Sequence, residues 1–207
     1  MASRQVYIDW LVVHCYLADM ARPKSDDKRS AIMVAAMRVI VKQGLSAPTA
    51  VIAKEAGVAN GSLFTYFPTK ADLFNQLYLE LKLGMAAASL QEVPTNGSLR
   101  EQFSKMWSNW MRWAMAEHDK RRALALLGVS DDITRETRMS AHQAMVHIVA
   151  LMERSRANGP MRDAPLGLVG ALMNSMAEAT MDFMAQDPVN ADAHSKVGFD
   201  ALWRMLG

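Results

Sequence analysis

Hydrophobic positions recur at helical spacing along nearly the whole chain. Met, Ala and Leu carry most of them, and no run of alternating β-branched residues occurs. Turn-forming residues interrupt the pattern around 44–48, at Gly57 and Pro68, and around 94–97, 128–132, 158–165 and 187–190. The stretches between them predict helices at about 26–43, 48–55, 59–66, 70–92, 98–118, 121–127, 132–157, 165–185 and 190–206. The expected fold class is all-α, with three N-terminal helices followed by a larger helical domain.

The N-terminal group has the most specific pattern. Ile32, Ala35, Ala36, Val39 and Ile40 form one stripe, and Lys28, Arg29, Arg38 and Lys42 lie on the polar face. A short helix from Thr49 to Glu55 turns Ile52, Ala53 and Ala56 inward. The run Ala56-Gly57-Val58 then makes a corner, where Gly57 can adopt φ > 0 without a Cβ clash. The next helix is too short to be stable alone, so Leu63 and Phe67 must anchor it. Its outward residues, Asn60, Gly61, Ser62, Thr65 and Tyr66, are mostly small and polar.

Two short helices about a glycine turn, the second anchored on one side and polar on the other, describe a helix-turn-helix. Small outward side chains let such a helix approach a groove floor closely. Tyr66 and Lys70 at its far end can reach phosphates. The expected DNA contacts are Thr49, Asn60, Gly61, Ser62, Thr65, Tyr66 and Lys70, with a basic arm containing Lys24, Lys28 and Arg29. These residues alone also fit a helical corner that only packs.

Charge favours the first alternative. The net charge of +2 is unremarkable as a total. Residues 20–70, however, hold eight Lys/Arg against three acids, whereas 71–207 hold fourteen against sixteen. A local positive field of this kind attracts polyanions, because neutralised phosphates release their counterions.

The run Ile52-Ala53-Lys54-Glu55-Ala56-Gly57-Val58-Ala59-Asn60-Gly61-Ser62-Leu63-Phe64-Thr65-Tyr66-Phe67-Pro68-Thr69-Lys70-Ala71-Asp72-Leu73 resembles the signature of the TetR/AcrR family of transcription regulators. Ala59 stands where the family often has Ser, Phe64 where Tyr is common, and Ser62 where Thr is common. The loop 45–48 is about one residue shorter than usual. The resemblance implies a helix-turn-helix DNA-binding domain at 20–69 and a ligand-binding and dimerisation domain at 70–207. The function it implies is a sequence-specific DNA-binding regulator, read as a repressor that a small apolar or aromatic ligand releases. The implied partners are a near-palindromic double-stranded operator and a second copy of the chain. Two alternatives stay open: a DNA-binding regulator with a protein partner or no effector, and a small-molecule binder without DNA binding.

The larger domain offers candidates for the ligand. The helix at 98–118 carries Phe103, Met106, Trp107, Trp110, Met111 and Trp113. Aromatic walls with flexible Met side chains suit apolar or planar cationic molecules. His147, Met173 and Met176 are further candidates. The same stripe equally suits a packed core. Small and apolar residues at Leu168, Ala171, Leu172, Ser175, Met176, Ala179 and Phe183, and at Val197, Ala201, Leu202 and Met205, make two more stripes. Paired with their copies they would form a four-helix bundle over about 165–206, or they pack within one chain.

No catalytic, metal or cofactor site is expected, and no enzyme activity. His142 and His147 are five residues apart and fall on different helix faces. A single cysteine, Cys15, excludes an internal disulfide and a cysteine-clustered zinc site, and fits a reducing cytoplasm. Residues 6–18 are apolar, but Asp9 and His14 interrupt them, and they fall short of the ~18–20 residues a bilayer span needs. Neither a membrane span nor a secretory signal is expected. Residues 1–19 read as an extra helix or as an upstream extension from a mistaken start codon.

Overall fold

Residues 24–207 are described by the structure, a computed structural model. The expectation for residues 1–19 lies outside them. The chain divides into two units, up to Leu73 and from Phe74 to Gly207. Among the described residues every element is helical.

The first unit contains α1 (Lys24–Gln43), α2 (Thr49–Glu55), α3 (Asn60–Tyr66) and the opening turn of α4 (Lys70–Leu90). Ile32, Ala36 and Ile40 of α1 are buried with Ile52 of α2, Leu63 of α3 and Phe67. Helices of seven residues do not persist alone, so this shared core is what holds α2 and α3. α1 ends at Gly44, whose φ of +80° lets its N–H return to the Ile40 carbonyl at 2.9 Å. Thr69 and Asp72 start α4 as a reciprocal cap. The Asp72 carboxylate accepts from the Thr69 N–H at 3.0 Å, and the Thr69 hydroxyl accepts from the Asp72 N–H at 3.0 Å.

The second unit holds the rest of α4, then α5 (Leu99–Ala116), α6 (His118–Gly128), α7 (Arg135–Ala144), α8 (Val146–Arg156) and α9 (Leu166–Gln186). A single 3₁₀ turn at Pro188–Asn190 leads into α10 (Ala191–Leu206). α5 packs against α6, α8, α9 and α10, and α9 lies along α10. Its start is fixed by Ser98, whose hydroxyl accepts from the Glu101 N–H at 3.2 Å. The Glu101 carboxylate in turn accepts from the Ser98 N–H at 2.7 Å. The Ser98 hydroxyl also donates to that carboxylate at 2.8 Å, and this bond with the one from the Ser98 N–H holds the Glu101 carboxyl below its usual value.

Two elements differ from the sequence expectation. The helix expected at 121–127 begins earlier, at His118. The one expected at 132–157 is two helices, broken at Met145. Neither Gly nor Pro marks that break. The Met145 N–H bonds the His142 carbonyl at 3.0 Å, a tightened turn that redirects the chain.

Candidate functional site

The helix-turn-helix geometry begins at Gly57, whose φ is +67°. Its N–H reaches the Lys54 carbonyl at 3.1 Å, and the Val58 N–H reaches the Ala53 carbonyl at 3.0 Å. The corner therefore closes α2 and points the chain into α3. No side chain caps α3 at Ala59, which carries no hydroxyl. Leu63 and Phe67 are buried below α3, while Asn60, Gly61, Phe64 and Thr65 are exposed above it. Those four fall at i, i+1, i+4 and i+5, which is one helical face.

The other expected contacts surround this face. Thr49, Ser62, Tyr66 and Lys70 are half-buried, Lys28 is exposed and Arg29 is half-buried. The Arg29 guanidinium lies 5.6 Å from the centre of the Phe67 ring, which steers it by a cation–π contact. Lys70 Nζ donates to the Leu45 carbonyl at 2.6 Å. Arg38 of α1 lies 3.8 Å from Glu55 of α2. Lys24 opens the backbone of α1. Phe64 is the residue on the exposed face that is not among the expected contacts; in the sequence it stands out only as a residue where Tyr is common. Its spacing of four from Asn60 was the available signal.

The second unit contains two adjoining cavities, of about 390 and 490 Å³. Both are lined by Tyr78, Lys82 and Met85 of α4, Trp110 of α5 and Asn174 of α9. Arg138, His142, Met145, Met152 and Met173 extend the smaller one. Trp113, Arg121, Glu178 and Met181 extend the larger. The break at Met145 thus falls in the cavity wall. The Arg121 guanidinium donates to Glu178 at 2.8 Å and also to Asp182. Burial alone would lower its pKa, but these bonds outweigh burial and raise it. Lys82 has no such carboxylate. Burial pushes its ammonium below the usual lysine value, partly offset by the charge of Glu178, and its Nζ sits 5.9 Å from the Tyr78 ring centre. Burial raises the Tyr78 hydroxyl, against the opposing charge of Arg138.

Residues 32–77 match the family model for bacterial regulatory proteins, tetR family. A tetR family transcription regulator from Shewanella sp. PV-4 is 29% identical, with a TM-score of 0.78 over 85% of this chain and 96% of that one. Over residues 32–77 the chain is thus similar in sequence to the TetR family, and over most of its length it is similar in fold to a regulator of that family. Two further TetR-family structures share its fold. One, from Marinobacter aquaeolei VT8, is 20% identical with a TM-score of 0.77 over 88% of this chain and 97% of that one. The other, the regulator LfrR from Mycobacterium smegmatis in complex with proflavine, is 20% identical with a TM-score of 0.63 over 85% and 95%.

The residues expected to bind ligand separate into groups. Trp110, Trp113 and Met173 line the two cavities. Phe103, Met106, Trp107 and Met111 are buried in the packing of α5 and line neither. The Trp107 indole N–H donates to the Ser195 carbonyl at 3.0 Å, and its ring meets Trp110 edge-on at 6.1 Å. Met176 faces a shallow groove between α9 and α10. His147 is exposed on α8 and lines neither cavity. Lys82, Tyr78 and Arg138 went unselected in the sequence. The spacing of Tyr78, Lys82 and Met85 at i, i+4 and i+7 put a lysine on an inward face. Among the described residues no group of His, Cys, Asp and Glu could hold a metal ion, and no helix is long and apolar enough to cross a membrane.

Proposed function

We propose that this protein is a homodimeric repressor in the cytoplasm that leaves its operator when a small apolar ligand occupies the cavities of the second unit. The observation that carries the DNA half is the exposed α3 face of Asn60, Gly61, Phe64 and Thr65 over the Leu63–Phe67 anchor. Asn60 pairs naturally with adenine, and the Phe64 ring with a thymine methyl. Thr49, Ser62, Tyr66 and Lys70, with the arm Lys24, Lys28 and Arg29, hold the phosphates on either side.

The dimer reading draws on α9 and α10. Leu168, Leu172, Phe183 and Val197 are all exposed, the last two at 61% and 69%. Gathered on two adjacent helices, they exceed the scattered apolar residues of an ordinary surface. A second copy covering them would present two α3 helices to successive major-groove faces of a near-palindrome.

The two cavities beside Trp110 favour a small-molecule effector over a protein partner, for which a filled interior would be expected. The proflavine complex of LfrR shows that one protein of this fold holds a small molecule. The ligand acts by its greater affinity for the dimer conformation whose α3 helices do not fit the operator. Gel retardation at low salt with fragments flanking the protein's own gene tests the reading. A retarded fragment that an apolar ligand releases supports it. Binding no tighter than to random DNA counts against it.

A further inference from the structure

We propose that the effector is an amphiphile with a single anionic head group, held by Lys82 and Arg138, and an apolar body along Met85, Met145, Met152 and Met173. This rests on the reading of the cavities as the effector site.

The charge of the smaller cavity is one-sided. Its lining contains Lys82, Arg138 and His142 and no Asp or Glu. The Arg138 guanidinium donates to the Gly128 and Ser130 carbonyls, both at 2.9 Å. Carbonyls fix its plane but do not cancel its charge. Lys82 forms no ion pair among the described residues; its ammonium lies by the Tyr78 ring face, and the charge of Glu178, on the side of the adjoining cavity, offsets its burial only in part. Arg121 in the adjoining cavity shows the opposite arrangement, with two carboxylates on one guanidinium. A partly buried cation left without a counter-ion is costly, and an incoming anion removes that cost. A cationic ligand would meet Lys82 and Arg138 with the same sign.

The rest of the wall is apolar and adaptable. Met85, Met145, Met152 and Met173 have flexible thioether chains that fit an extended alkyl or acyl body without a fixed shape. A volume of about 390 Å³ holds roughly a dozen non-hydrogen atoms at the ~30 Å³ each takes up in a liquid. Decanoate has that size.

Calorimetric titration of the full chain with decanoate, decanol and decylammonium tests the proposal. Decanoate is expected to bind at least tenfold more tightly than the other two. Lys82→Met, which keeps Arg138, is expected to shrink the preference for decanoate over decanol several-fold, with a thermal melt confirming that the variant is folded. Decanol or decylammonium binding as tightly as decanoate overturns the anionic head group and leaves the effector cavity standing. So does a decanoate preference that Lys82→Met leaves undiminished. Binding of none of the three overturns the effector cavity as well. The wild-type ranking decides the matter even if the variant fails to fold.

Discussion

Lys70 Nζ donates to the backbone carbonyl of Leu45 at 2.6 Å, tying the start of α4 to the loop between α1 and α2. The sequence assigned this lysine to a phosphate. An ammonium has three donors, so the two roles are compatible. Lys70→Ala should weaken binding to every DNA sequence alike and flatten the salt dependence by about one unit. A lysine that only braces the loop would lower stability and leave the salt slope intact, and titrations at several salt concentrations separate the two.

The two faces of α3 should respond oppositely. Phe64→Ala removes a ring that is 40% exposed, so folding should change little. Sequence preference should change, by about 1–3 kcal/mol at a contacted base pair. Leu63→Ala empties a fully buried position and should destabilise the first unit by about 2–5 kcal/mol. Thermal melts alongside selection from a randomised DNA pool would show the contrast.

The legibility of these features tracks how local their causes are. The Gly57 corner, the Leu63–Phe67 anchor and the polar α3 face lie within a dozen residues, so periodicity and turn chemistry suffice to place them. The break at Met145 depends on packing and carries no Gly or Pro to announce it. On α5, spacing shows that Phe103, Met106, Trp107 and Trp110 point inward, but not that Trp110 alone of these borders the cavities. Which inward residues face a void is fixed by partners on α4, α7, α8 and α9, and single-chain periodicity has no access to those pairings.

Gly198 lets α10 approach α9 and α5 closely. A Cβ there would fall on the Thr180 hydroxyl and lie 3.1 Å from the Trp107 ring. Gly198→Val should overpack this contact and cost about 1–3 kcal/mol. At the ~2–4 °C per kcal/mol usual for a chain of this size, the melting temperature should fall by several degrees.

The cap at the start of α5 should make stability depend on acid. Glu101 has a lowered pKa because the Ser98 hydroxyl and N–H bond its carboxylate. A carboxyl lowered in the folded state stabilises above its unfolded pKa. That stabilisation is lost as pH falls through the lowered folded value. Ser98→Ala should cost about 1 kcal/mol at neutral pH, as removal of a helix cap does. It should also soften the loss of stability below the ordinary glutamate range, which melting temperatures across a pH series would reveal.

The most direct test of DNA recognition by the α3 face is nuclease footprinting of the full chain on fragments flanking its gene, at low salt, with an Asn60→Ala, Thr65→Ala double variant alongside. The expected result is one two-fold symmetric protected site that the variant loses while its non-specific binding persists. Uniform, unprotected cleavage by the wild-type protein at concentrations where random DNA is already bound would contradict it.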